Sequence, residues 1–289
     1  MYNESFGSTA KRGFMGLPVA IRAIVGISTA IFLVQILGSI FLGQEFTLFV
    51  RNWFAFLPNT WVTLFQPWRL VTYMFLHAGF MHLLFNMLWL WWLGRSVEQT
   101  MGPRSFSVIY FGAGIGGALL DVALAQFFGI NYVIGASGAV YGIMVAFAML
   151  YPNQPIMLIL LPPIPAKYLV AGLIAIDVLL VGQGDGVARV VHLGGAGVGY
   201  LLMKAYQRGT DLSKYVRPIE RFWYRLAGTY EKSASRPQNK NMYSVSDANV
   251  VEEVEESELD AILEKISKKG YDALTKEEKK KLFELSNKN

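Results

Sequence analysis

Cysteine is absent from the 289-residue chain, which removes disulfides, thiolate metal sites and a cysteine nucleophile together. Charge is scarce as well. Charged residues make up 16% of the positions against 53% hydrophobic, a balance too apolar for an ordinary soluble domain of this length. Between Arg22 and Arg69 the charged residues are Glu45 and Arg51, from Leu70 to Gly94 there are none, and from Ser105 to Ala166 there is Asp121 alone. Histidine occurs three times, as His77, His82 and His192.

Uncharged apolar runs of this length predict membrane spans. Six are expected, at about 23–42, 70–94, 105–127, 133–150, 167–182 and 189–206, the last with Lys204 able to snorkel. The first has full spanning length and lacks a clear small-residue cleavage site after it, so it is expected to remain as a span. Lys11, Arg12, Arg22, Arg95, Arg104, Lys167, Lys204, Arg208, Lys214, Arg217, Arg221 and Arg225 fall on one side of this arrangement. Arg51, Arg69 and Arg189 fall on the other. The excess of bases places both termini in the cytoplasm, in keeping with an even number of spans. The net charge of +5 comes largely from these juxtamembrane bases and points to anionic lipid, not nucleic acid.

The chain divides into an N-terminal cytoplasmic tail (1–17), a membrane core (18–206), a juxtamembrane linker (207–256) and a small helical module (257–289). The loop after the first span carries Phe46, Phe49, Trp53, Phe54, Phe56, Trp61, Phe65 and Trp68, an aromatic density suited to the membrane interface. Between Ser213 and Lys232, Arg217, Arg221 and Arg225 are mixed with Phe222, Trp223 and Tyr224, a pattern that fits a basic helix lying on the inner leaflet. In the last module, Ser257-x-x-Asp260 opens an apolar stripe of Leu259, Ile262, Leu263 and Ile266 that ends at Gly270. Thr275-x-x-Glu278 then precedes Leu282, Phe283 and Leu285, so a helical hairpin is expected. It is small enough to call for an unknown cytoplasmic partner.

All three histidines lie at or inside apolar runs, where a polar group is costly and asks for a reason. His82 and Asn86 are four residues apart, about 40° around a helix, and so project from one face. His77 precedes His82 by five residues, roughly 140° away on a continuous helix. That spacing is not the i, i+4 pair of a zinc site, and a glutamate and third ligand are lacking, so no metal is expected.

The fourth run opens with Gly135-Ala136-Ser137-Gly138, a serine among small residues at a helix start, where backbone N–H groups are free to bind an anion. In the sixth run His192, Gly195 and Gly199 share one face. Gly138-x-x-x-Gly142 and Gly195-x-x-x-Gly199 are two small-residue seams along which helices approach closely, bringing His192 beside Ser137. A neutral imidazole there can take the serine proton during attack on a carbonyl, and Tyr141, one turn after Ser137, can hold the ring. With no acid inside these motifs, the expectation is a dyad and not a triad, and Asp121 and Asp177 are read as structural or cavity-facing.

Together these residues resemble the rhomboid family. The matching positions are Trp68-Arg69, His77-x4-His82-x3-Asn86, Glu98, Gly135-Ala136-Ser137-Gly138 with Tyr141, and His192-x-x-Gly195-x-x-x-Gly199, in order over about residues 18–206. The resemblance implies an all-α membrane protein, a six-transmembrane-helix bundle whose short fourth span lies at the centre, with a small C-terminal cytoplasmic helical hairpin. It implies Ser137 and His192 as catalytic residues in a water-filled cavity, His82, Asn86 and the Ser137 amide as oxyanion hole, and structural roles for Trp68, Arg69 and Glu98. His77 matches a supporting position. Val191 departs from the small alanine usual before the histidine. The tail module resembles one appended to rhomboids of the Bacteroidetes, which implies a multi-pass protein of a bacterial inner membrane.

The expected function is hydrolysis of a peptide bond in the transmembrane segment of another membrane protein, through an acyl-enzyme on Ser137 and without a cofactor. One alternative is an inactive relative that binds membrane clients as an adaptor, which would usually lack the serine or the histidine. A proton-coupled transporter would show paired acids and an inverted repeat, and no repeat is evident.

Overall fold

The computed structural model describes residues 13–129, 131–158, 162–183 and 187–226, together with 262, 264–266, 268, 274, 275 and 278. The chain divides into two compact units, Met1–Leu226 and Ala227–Asn289, and the described part of the first is mostly helical. Helix α1 spans Val19–Phe54, α2 Thr60–Phe65, α3 Arg69–Thr72, α4 Phe80–Phe128, α5 Ser137–Leu150, α6 Ala166–Leu179, α7 Arg189–Gln207 and α8 Arg217–Leu226. Two-residue strands β1 (Pro155–Ile156) and β2 (Ile164–Pro165) pair antiparallel in the loop between α5 and α6.

Two helices, α1 and α4, are long and apolar enough to cross a membrane. Each is broken once, at a glycine with a backbone conformation that side chains oppose: Gly43 (φ 69°) in α1 and Gly102 (φ 77°) in α4. Pro103 restarts the helix directly after the second break, where its missing N–H costs nothing. The halves of α4 thus correspond to the second and third apolar runs.

Helix α5 sits at the centre. Nine of its fourteen residues are buried, among them Gly138, Ala139, Gly142 and Ile143, and it packs mainly against α4 and α7. Helix α1 lies outside. Ile21, Ile24, Ser28 and Phe32 are its buried residues, while Leu37, Ile40 and Phe41 are exposed, as expected of a surface facing hydrocarbon.

The helix ends are tied by polar side chains that the apolar pattern does not reveal. The buried Glu98 carboxylate accepts from the N–H groups of Ala20 (2.8 Å) and Ile21 (2.9 Å), placing an anion on the first turn of α1. At the other end of α1, the carbonyls of Asn52 and Ala55 accept from the Arg69 guanidinium, that of Trp53 from the Trp68 indole and that of Phe54 from the Thr72 hydroxyl. Trp68, Arg69 and Glu98 therefore clamp the two ends of one helix.

Two expectations need correction. The run at 70–94 is not one helix: after α3 and a 3₁₀ turn at Tyr73–Phe75 the chain extends through Leu76 and Gly79, and α4 begins at Phe80. Hydropathy records apolar residues but not where φ and ψ leave the helical region. His77 consequently stands before the helix, and the 140° separation from His82 does not apply. The aromatic stretch after the first span is also not simply loop, since α1 resumes after Gly43 and α2 follows, N-capped by the Asn59 side chain.

After α7, Asp211 accepts from the Ser213 N–H (2.9 Å) and pairs with Arg217 (3.0 Å), which holds its carboxyl below the usual range. Arg104 pairs with Glu220 at 2.9 Å, and Ile219 and Phe222 on α8 are exposed. In the second unit the Thr275 N–H donates to Glu278 Oε2 (2.7 Å) and the Glu278 N–H to Thr275 Oγ1 (3.3 Å), a reciprocal capping box. Lys265 pairs with Glu278 at 2.8 Å, and Ile262 and Leu274 are buried. These contacts lower the Glu278 carboxyl to about 2. Residues 1–12 of the tail, residues 227–256 of the linker, and Ser257, Leu259, Asp260, Leu263, Gly270, Leu282, Phe283 and Leu285 lie outside the described residues.

Candidate active site

The segment before α5 is extended and held on both sides. Phe56 and Val133 exchange backbone hydrogen bonds of 3.0 and 2.8 Å, and the Gly135 N–H donates to the Tyr73 carbonyl at 2.9 Å. Gly135 then turns the chain with φ 121°, and Ala136 serves as N-cap, so Ser137 becomes the first residue of α5. In that position its N–H has no acceptor within the helix.

Helix α7 brings His192 to this point. His192 Nε2 lies 2.7 Å from Ser137 Oγ, and the Tyr141 ring stacks on the imidazole with centroids 4.6 Å apart and planes 12° apart. The close approach follows from the two small-residue seams. A Cβ on Gly195 would overlap the Gly138 carbonyl, and one on Gly199 would stand 2.6 Å from the Gly142 Cα. Val191, the larger residue before the histidine, is accommodated by side-chain absence opposite it: a Cβ on Gly138 would come within 2.7 Å of Val191 Cγ1, and one on Gly117 would strike the Val191 carbonyl.

Ser137, Tyr141, His192, His82 and Asn86 all line one cavity of about 470 Å³, bounded also by Phe85, Trp89 and Tyr132. The Ala78 N–H donates to His82 Nδ1 at 3.3 Å, which leaves the proton on Nε2. That edge of the ring lies against Gly135, where a Cβ would stand 2.6 Å from Nε2. The Asn86 amide donates one hydrogen to the His82 carbonyl at 2.8 Å, and its second N–H remains for another acceptor.

His77 lies outside that cavity. Its ring meets His82 edge-on at 5.2 Å, its backbone N–H donates to Gln35 Oε1 at 3.2 Å, and it borders a separate space of about 190 Å³ with Gln35 and Arg51.

The expectation of a serine and histidine without a neighbouring acid needs correction: Asp177 Oδ2 lies 2.9 Å from His192 Nδ1. The two are fifteen residues apart on different helices, so local spacing could not pair them. The available signal was that an acid inside an apolar run needs a partner. Among the described residues no group of three or more His, Asp or Glu side chains is arranged to hold a metal ion.

A model described as "Rhomboid domain" matches residues 64–208, and one for a family of unknown function, DUF6576, matches residues 248–288. The chain is 32% identical over 144 residues to RHOMBOID-like protein 4 of Arabidopsis thaliana, covering 47% of this chain and 33% of that protein. It is 39% identical over 95 residues to rhomboid protease GlpG of Salmonella choleraesuis, covering 33% of each. The matched segment spans about a third of the length of these curated relatives.

Proposed function

The chain belongs to the rhomboid family of integral membrane proteins, and from that premise we propose that it is an intramembrane serine endopeptidase acting on transmembrane segments of other membrane proteins. The observation that carries this reading is the 2.7 Å contact between Ser137 Oγ and His192 Nε2 at the wall of a cavity of about 470 Å³.

In the proposed reaction Ser137 Oγ attacks the scissile carbonyl carbon while its proton passes to His192 Nε2. The carbonyl electron pair moves to the oxygen, where the Ser137 N–H, the His82 Nε2–H and the second Asn86 N–H supply donors fixed beforehand. Collapse expels the amine, which takes the proton from His192, and leaves an acyl-enzyme. Water, deprotonated by the same imidazole, then releases the carboxylic acid and restores the serine.

The helical segments 19–42, 80–101, 103–128, 137–150, 166–179 and 189–207 support six spans, with α5 and α6, at fourteen residues each, shorter than a full crossing and α5 enclosed by its neighbours. The distribution of Lys and Arg supports cytoplasmic termini.

The test is labelling of the purified protein with a fluorophosphonate, followed by peptide mapping, beside cleavage of a single-span reporter. Ser137 should carry the label, and Ser137→Ala and His192→Ala should each abolish cleavage without unfolding the protein, because the pair acts as a unit. Cleavage persisting in Ser137→Ala would reject the protease reading in favour of a contaminant or another nucleophile, and a folded protein that neither labels nor cleaves would fit a client-binding adaptor.

A further inference from the structure

Helix α6 is mostly exposed in its second half, with Ile176, Val178 and Leu179 all more than 50% exposed, yet Asp177 between them is 6% exposed. A helix that turns its acid inward and its apolar residues outward has inverted the pattern of a soluble surface helix. This is expected where the outside is hydrocarbon and the acid has inward partners. Those partners divide its two oxygens. Oδ2 lies 2.9 Å from His192 Nδ1 and Oδ1 lies 3.7 Å from Arg189 Nε.

We propose that Asp177 is a positioning residue for the Ser137 site, holding His192 with its proton on Nδ1 and its free Nε2 aimed at Ser137, and stabilising the positive charge the ring gains. The proposal rests on the protease reading and adds a third member to the serine and histidine.

The geometry assigns each proton. A carboxylate only accepts, so the 2.9 Å contact requires Nδ1–H on His192, and a neutral ring protonated there has its lone pair on Nε2. The Ser137 hydroxyl donates into that lone pair at 2.7 Å. As the Oγ–C bond forms, the Oγ–H bond breaks and the proton moves to Nε2. His192 is then an imidazolium between two acceptors, and Asp177 keeps its negative charge throughout. Arg189 matters in the resting state. With His192 neutral, an unpaired carboxylate at this depth would be costly, and the guanidinium beside Oδ1 compensates it.

The competing reading is that Asp177 only neutralises Arg189 and ties α6 to α7. Full-length protein in detergent distinguishes the two through Asp177→Asn, which keeps the shape and loses the charge, and Asp177→Glu, which keeps the charge. Four quantities are measured on each: kcat and KM for a single-span substrate, the rate of fluorophosphonate labelling at Ser137, and the unfolding midpoint. Asp177→Asn is expected to lower kcat and the labelling rate together by at least about tenfold, because it removes the carboxylate that fixes the Nδ1–H tautomer, with KM and the midpoint little changed. Asp177→Glu should retain more of both rates than Asp177→Asn. Wild-type rates in folded Asp177→Asn would overturn the proposal, as would losses that are equal in the two variants and track a fall in midpoint. Failure of the wild-type protein to label or cleave is a separate outcome, which removes the protease reading and the proposal with it.

Discussion

Tyr141 lies face to face with His192, its ring 4.6 Å away and 12° from parallel, one turn along α5 from the serine that His192 touches. A stacked ring restricts rotation of the imidazole about its Cβ–Cγ bond, and orientation of the base governs proton transfer. Tyr141→Phe preserves the stack and should retain most of the activity, whereas Tyr141→Ala should lower kcat by about tenfold or more at similar KM. Equal activity of the two variants would show that the stack contributes nothing to turnover.

Asn86 separates a structural from a catalytic role by what its loss costs. As a helix tie inside a membrane it contributes about 0.6 kcal/mol, the average for such hydrogen bonds, and Asn86→Ala would lower the unfolding midpoint slightly while sparing turnover. As an oxyanion donor its removal cuts kcat by roughly 10²–10³ with little change in unfolding. The second outcome is expected, with His82→Ala at least as damaging, and kcat and unfolding measured on one preparation decide it.

The seam between α5 and α7 makes a prediction about stability. Gly199 opposes the Gly142 backbone at a distance that leaves no room for a Cβ, so Gly199→Leu should force the helices apart. Thermal stability and activity should fall together. Gly197, where a Cβ would meet nothing within 4 Å, provides the control: Gly197→Ala should leave both unchanged.

Glu98 is buried at 3% exposure and satisfies two N–H groups of α1. Glu98→Ala leaves those donors without a partner away from water, at a cost of about 1–3 kcal/mol for each such group. The unfolding midpoint should drop while the kcat of the folded fraction is preserved, since Glu98 does not line the Ser137 cavity. A fall in kcat at an unchanged midpoint would place Glu98 in the chemistry instead.

Much of the site was legible because its signals are local. His82 and Asn86 share a face by helical spacing alone, and the paired seams of Gly138 and Gly142 with Gly195 and Gly199 mark helices that can approach. Ser137 at a helix start follows from the small residues around it. The helix boundaries were less legible, since the entry to α4 depends on backbone angles at Leu76 and Gly79 that apolar composition does not encode.

By itself the sequence determined that the chain must satisfy its polar groups internally, because runs this apolar and this poor in charge leave lipid as the surrounding medium. It also determined the few side chains able to do chemistry there. Tertiary structure alone decided which acid meets which base. Asp177 and His192 come together because α6 and α7 lie side by side across a loop, and Glu98 reaches Ala20 across 78 residues of chain. Such pairs are set by the packing of whole helices, whose contacts are summed over many residues, and no window of neighbouring positions contains that sum.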